Sequence, residues 1–360
     1  MRVGILTYYG VFNHGAVLQA NALKTVVNAM GHDCEFLTFN RNYDYLPQGQ
    51  DKKYNISLKS VSLYMKYLLN KGVANTLYNF RKHKVLAFYR SENIPLGQRY
   101  TDFDGDMVLI GSDEVFSLEI GINPFFYGHG LKTPSVASYA GCFGPTTLEN
   151  IRSLHMEQLI GSGLTQMKAI SVRDRNSAEI AEKLTGGRDV CVTCDPVILY
   201  GYHKEQMEYV PGEKRYIILY SYENNFNKPE EISAVRSYAQ KHDLKVYAAA
   251  YYHKWCDRNI QATPTELLGW IRNADLVVTD TFHGSVLSII CGTPLAVKIR
   301  GNGNKLGFLM DEYDLSDRII DKIENFENVA ERAVDFDAVN QRIVERRKAS
   351  MRYLEKVLEK

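Results

Sequence analysis

The chain has 360 residues, of which 45% are hydrophobic and 24% charged, with a formal net charge of +1 at pH 7. This balance excludes a disordered chain and provides no global basic field for nucleic acid. The length exceeds the usual single core and implies two domains of roughly 150 to 170 residues each.

The run Met1 to Thr7 is too short for a signal peptide, and no stretch reaches the roughly 18 apolar residues of a membrane span, so the expected location is cytoplasmic. Six scattered cysteines read as reduced thiols. Cys191 and Cys194 have metal or redox spacing but lack a second pair, and no other ligand cluster has usable spacing, so no metal is expected.

The chain opens as strand, loop and helix. Val3 to Thr7 suits a strand, and a loop with Gly10, Asn13, His14 and Gly15 leads into a helix with Val17, Leu18, Ala22, Leu23, Val26 and Val27 at helical spacing. Cys34 to Phe39 reads as the next strand. Such alternation implies a parallel sheet covered on both faces. With Asn13 and His14 the glycines let a ligand approach the backbone, or they simply shape a tight strand-to-helix turn. Neither a G-x-G-x-x-G nor a P-loop pattern occurs, so dinucleotide and P-loop chemistry have no support.

From Lys52 to Arg90 there are nine Lys or Arg residues and no Asp or Glu. Leu58, Val61, Met65, Leu68 and Leu69 predict one amphipathic helix, and Leu77 to Phe88 a second. Either this is a solvated basic face or it attracts anionic material, such as a lipid-diphosphate-linked glycan or an anionic membrane surface.

Asp106 to Ile110 read as a strand ending in Gly111, Ser112 and Asp113, where Ser and Asp serve as caps or as ligand contacts. A strand through Ile170 and Ser171 ends in Arg173, whose planar guanidinium grips two oxygens of a phosphate or carboxylate, or else pairs with a nearby acid. Asp195-Pro196 reads as a turn.

The second half repeats the alternation: a strand at Tyr216 to Tyr220, a helix at Pro229 to His242, and a strand at Leu244 to Ala250. Thr263-Pro264-Thr265-Glu266 starts a helix, with Thr263 as cap and Glu266 closing a capping box. The apolar run Leu276 to Val278 is a buried strand. Its loop sets Asp280, Thr281 and His283 at a helix N-terminus, where open α/β sheets hold ligands and where the N–H groups of Gly284 and Ser285 suit an anion. A strand from Leu295 to Ile299 follows, then a basic, glycine-rich segment through Arg300 and Lys305. Asp337 to Lys360 predicts a long amphipathic helix. The expected division is 1–165, 166–335, and a C-terminal helix over 336–360 that crosses back to the first domain.

Four segments in this order, Asn13 to Gln19, Gly111 to Phe116, Ser171 to Asp174 and Thr279 to Pro294, resemble the motifs of the polysaccharide pyruvyl transferase family. Its members move pyruvate from phosphoenolpyruvate onto sugar hydroxyls. The resemblance implies two Rossmann-like α/β domains facing a cleft, the GT-B layout, with the acceptor on the first domain and phosphoenolpyruvate on the second. It further implies a pyruvate ketal on a polysaccharide or lipid-linked glycan, released phosphate and no cofactor beyond the donor.

In that frame His283 delivers or relays the proton to the donor's methylene carbon, and Asp113 orients or deprotonates the acceptor hydroxyl beside Ser112. Arg173 holds the donor's carboxylate or phosphate, with Lys298, Arg300 and Lys305 as candidate second cations and Asn13, Gly15 and Gln19 of the first motif as further candidate ligand contacts. One departure stands out: many members carry arginine two residues before the motif histidine, and this chain has Thr281. The alternatives are a GT-B glycosyltransferase using a nucleotide sugar and a noncatalytic glycan-binding member of the family.

Overall fold

The computed structural model describes residues 1–40, 58–301 and 303–359, and over 58–70 it describes the backbone alone. Lys52 and Lys53 of the basic segment, Asn302 and the terminal Lys360 therefore lie outside the described residues.

Two parallel sheets carry the molecule. In the first, β1 (Arg2–Leu6), β2 (Asp33–Thr38), β3 (Leu96–Arg99), β4 (Met107–Ile110) and β5 (Val136–Ser138) lie in the order β3-β2-β1-β4-β5. Two further strands, β6 (Ile170–Val172) and β7 (Val190–Val192), pair with each other, and bridges from Ala137 to Ala169 and from Gly141 to Val172 join them to the β5 edge. The second sheet has β8 (Tyr216–Tyr220), β9 (Lys245–Ala248), β10 (Arg258–Asn259), β11 (Leu276–Thr279) and β12 (Leu295–Val297) in the order β10-β9-β8-β11-β12. The short edge strands β3 and β10 are not foreseen from sequence, because each is too brief and too polar to carry an apolar pattern.

The chain thus passes to the second sheet after β7, so β6 and β7, expected with the C-terminal half, instead extend the β5 edge of the first sheet through those bridges. The reason is backbone satisfaction: the N–H groups of Ser138 and Gly141 donate to Ala169 and Ser171 carbonyls, each at 3.1 Å, and a boundary at 165 would orphan them.

The helix Phe336–Leu358 lies on this same edge. Tyr353 Oη donates to the Ser138 carbonyl at 2.7 Å, Ser350 Oγ accepts from Cys194 N at 2.9 Å, and Lys168 Nζ donates to the Val357 carbonyl at 2.9 Å. The helix Pro264–Arg272 starts as its sequence dictates, with Thr263 Oγ1 accepting from Glu266 N and Glu266 returning to Thr263 N. Residues 58–93 are helical apart from Gly72, whose φ of 75° breaks the run into two helices where sequence also placed two.

Each sheet reverses direction of growth once, between β1 and β4 in the first and between β8 and β11 in the second. Such switch points open a crevice beyond the carboxyl ends of the strands. Here the two crevices face each other.

Candidate active site

A cavity of about 160 Å³ lies between the sheets and is walled by residues just beyond these four strands. Tyr8 follows β1, Asp113 and Glu114 follow β4, Tyr220 and Tyr222 end and follow β8, and Thr281, Phe282 and His283 follow β11. A second cavity of about 270 Å³ shares Glu114, Tyr222 and Lys305 and extends to Asp280, Arg300 and Gly301.

His283 stands in the first turn of the helix Phe282–Cys291, whose residues are all buried. Thr281 is its cap: Oγ1 accepts from Gly284 N at 2.9 Å while the Thr281 carbonyl accepts from Ser285 N at 3.2 Å. The two N–H groups expected to bind an anion are therefore occupied within the helix start. The ring of His283 is 8% exposed on the cavity wall, and its Nε2 is buried without a hydrogen-bond partner. Burial lowers its pKa, Asp113 and Asp195 pull it back, Arg173 and Lys305 lower it again, and the net position is below the ordinary histidine value. The unliganded imidazole is neutral at pH 7.

Two segments remote in sequence meet at this ring. Asn13 caps the helix His14–Ala29 by accepting from Gly15 N at 2.9 Å and reaches Tyr251 Oη at 3.5 Å, on the cavity wall. Gly15 packs so closely that a Cβ there would strike the His283 ring. Its requirement is close approach across the cleft, and its place in the site is the histidine's backstop. Gln19 and Ser112 are both fully buried and hydrogen-bonded to one another; Gln19 Nε2 also donates to Thr7 Oγ1 at 3.3 Å. They tie the ends of β1 and β4 together and do not line the cavity, contrary to the expectation of ligand contact.

Arg173 corrects the expectation more sharply. Its side chain is 1% exposed, with Nη1 3.1 Å from Asp195 and Nη2 3.4 Å from Asp113, and its guanidinium carbon sits 4.2 Å from the Phe282 ring centroid. A buried guanidinium needs such partners, since an unpaired one costs several kcal/mol, on the order of 3–5. Arg173 therefore positions Asp113 instead of waiting for a ligand. Asp195, read from sequence as a turn residue, both caps the helix Pro196–Tyr200 and anchors Arg173. Burial pushes the Asp113 carboxyl up, but Arg173, then His283 and Lys305, outweigh it and hold it below the usual carboxylate range. Its φ of 76° is a left-handed conformation that aims the side chain into the cavity at some cost in strain.

Of the three candidate second cations, Lys305 reaches the cavity. It pairs with Glu114 across the cleft and lines both compartments; burial opposes its charge, but Glu114 outweighs that and raises its pKa. Arg300 lines the outer compartment alone, where it bonds Asp280 and Glu231, each at 2.8 Å. Asp280 is accordingly absent from the inner cavity. Lys298 turns away: its Nζ donates to the Ile320 carbonyl at 3.0 Å and the Asp321 carbonyl at 2.5 Å. Side chains on successive strand residues point to opposite faces, and Lys298 follows β12 on the outer side.

Two facing Rossmann-like halves with the site between them define a GT-B-like α/β protein. The fold is shared with UDP-N-acetylglucosamine 2-epimerase (TM-score 0.54, 11% identity, covering 99% of this chain and 95% of that one). UDP-GlcNAc 2-epimerase from Methanocaldococcus jannaschii is similar too (0.51, 13%, 93% and 93%), as is the glycotransferase of kitacinnamycin (0.50, 11%, 99% and 99%). At such identities the likeness concerns the fold alone. No curated protein matches the sequence. The polysaccharide pyruvyl transferase family matches residues 13–298, most of the chain, and the chain belongs to that family.

Proposed function

We propose that the protein transfers pyruvate from phosphoenolpyruvate to two hydroxyls of a sugar, forming a ketal and releasing phosphate. One observation carries this reading: an unpartnered imidazole nitrogen, a carboxylate fixed by a buried arginine, and a lysine share one small cavity between the switch points of a family member.

Lys305 exchanges its contact with Glu114 for the donor's anionic oxygens and stands in for the arginine that Thr281 replaces. The donor's negative charge raises the pKa of His283, which takes up a proton and delivers it to the methylene carbon, making it a methyl group. The cationic C2 is attacked by the first sugar hydroxyl. Asp113, held low by Arg173, is a weak base. It accepts the hydroxyl's hydrogen bond and takes the proton once the new C–O bond has acidified it. Cleavage of the C2–O bond to phosphate then lets the second hydroxyl close the ring, its proton leaving with phosphate.

The test is phosphate release from phosphoenolpyruvate with a panel of glycans, with mass spectrometry of the product for the added pyruvate. Release of a nucleoside diphosphate from nucleotide sugars, with none of phosphate from phosphoenolpyruvate, would replace this reading with glycosyl transfer. A second reading, a noncatalytic glycan binder, has one observation in its favour: Lys305, the cation on the cavity wall, is already paired with Glu114 beside aromatic walls at Tyr8, Tyr220 and Tyr222. Glycan binding that survives His283→Ala, with no turnover of either donor, would support it.

Two variants refine the assignment. Lys305→Ala is expected to raise KM for phosphoenolpyruvate roughly 10- to 100-fold, the worth of a charge-assisted hydrogen bond, with a smaller change in kcat. In Gly15→Ala the new methyl displaces the His283 ring, and a shift of about 1 Å costs on the order of 100-fold in kcat. The melting temperature should fall as well, because the methyl meets His283 Cβ and Cγ close to the backbone of a buried helix; such overpacking costs about 1–3 kcal/mol, of which alanine's better helix propensity offsets at most about 1 kcal/mol.

A further inference from the structure

The second of the two helices over residues 58–93, the one after Gly72, has two unlike faces. Inward, Asn75, Tyr78, Lys82, Leu86 and Tyr89 are buried, Tyr78 Oη donates to the Ile260 carbonyl and Lys82 Nζ to the Ala250 carbonyl, both at 3.0 Å. Outward, Val73, Leu77, Phe80 and Phe88 are 70%, 44%, 57% and 68% exposed. Their spacing puts them on one stripe of the helix. Arg81 is exposed beside it, and Lys84 stands on it between Phe80 and Phe88, its Nζ 4.9 Å from the Phe80 ring centroid.

Water-facing helix surfaces are ordinarily polar, and an exposed apolar stripe, here interrupted by Lys84, marks a contact surface. The exposed charge beside these rings selects the partner: Arg81 and Lys84 face outward, Lys71 pairs with Glu223, Lys82 turns inward, and the acid Glu92 lies a turn beyond Phe88. A second copy meeting this face through a two-fold axis would set Arg81 and Lys84 against their own copies. An anionic lipid surface complements both features, taking the aromatic rings into the boundary between headgroups and acyl chains and the cations onto lipid phosphates.

We propose that the outward face of this helix docks the protein on an anionic membrane surface. The inward face places the docked surface at the rim of the cleft: Lys82 Nζ lies 4.6 Å from the Tyr251 ring centroid, and Tyr251 meets Asn13 on the cavity wall. Phe12, in the loop that leads to Asn13, stacks on His83 at 3.9 Å. A lipid-linked acceptor would thus reach the site from the surface the protein stands on, a consequence that alone rests on the pyruvyl-transfer reading.

The test is co-sedimentation of the full chain, without substrates, with vesicles of phosphatidylcholine and of phosphatidylcholine mixed with phosphatidylglycerol. Binding to the anionic vesicles alone, weakened by salt, is expected. Arg81→Gln with Lys84→Gln is expected to weaken partitioning roughly 30-fold, two basic contacts' worth. Phe80→Ser with Phe88→Ser is expected to abolish it while circular dichroism melts show the fold intact, since both rings are exposed. No binding, equal binding to both vesicle types, or a lipid-free dimer that the serine pair dissociates would overturn the proposal. Because binding is read without turnover, a failure of transfer activity leaves this result standing, and the converse holds.

Discussion

Arg173→Ala is expected to lower the stability of the protein by about 3–5 kcal/mol, the penalty for stripping one partner from a buried ionic cluster. The guanidinium lies between Asp113 and Asp195 and under the Phe282 ring, so its removal leaves two carboxylates facing each other with little water. Urea melts followed by circular dichroism measure the loss, and a change below about 1 kcal/mol would show that the cluster is effectively solvated. Arg173→Ala combined with Asp195→Asn should recover part of it, because one of the stranded charges is gone.

Acidity should modulate the same difference. Asp113 has a native pKa below its unfolded one, so the stabilisation it draws from Arg173 is present above the unfolded carboxylate value and disappears as pH falls through the native value. The gap between wild type and variant therefore narrows on acidification. Activity falls as well, since Asp113 loses the partner that holds it in the cavity.

How far such a cluster is legible before the structure depends on which physical signal reports it. The strand-end positions of Asp113, Arg173 and His283 follow from apolar runs that stop at polar residues, and their motifs mark the family. The direction of each side chain does not follow. Asp195-Pro196 explains a turn completely on its own terms, so nothing in the sequence asks for its second role as an anchor of Arg173. Lys298 and Lys305 are equally basic and equally near the motif, yet one returns to the Ile320 and Asp321 carbonyls and the other crosses to Glu114. Only a tertiary contact separates them.

The domain boundary was obscured for a related reason. Both halves alternate strand and helix in the same rhythm, so the change of sheet leaves no mark in periodicity; the bridges from β5 to β6 decide it. Gly15 shows the opposite case. A glycine at the second position of a helix carries a propensity cost of about 1 kcal/mol with no local turn to justify it, and that mismatch was a readable sign that another chain segment comes close. The segment is the His283 ring.

His283→Gln is expected to reduce kcat by about 100- to 10,000-fold, the range for loss of a positioned proton donor, with the melting temperature near wild type. The free protein holds this imidazole neutral, because burial and the cations Arg173 and Lys305 outweigh the acids around it. A neutral histidine cannot donate the proton that the reaction needs, so the donor substrate must bring the conditions for its own protonation. A bound carboxylate and phosphate add negative charge beside a largely buried ring, which moves the His283 pKa upward and draws in a proton from solvent. Binding of phosphoenolpyruvate near neutral pH should therefore take up protons, seen in titration calorimetry as an apparent enthalpy that varies with the ionisation enthalpy of the buffer. In His283→Gln the buffer dependence should vanish while binding persists, since Lys305 still meets the anion. If wild type and variant take up protons equally, the charge is accepted elsewhere and His283 has no part in the proton transfer; a variant that keeps full kcat would lead to the same conclusion through rate alone.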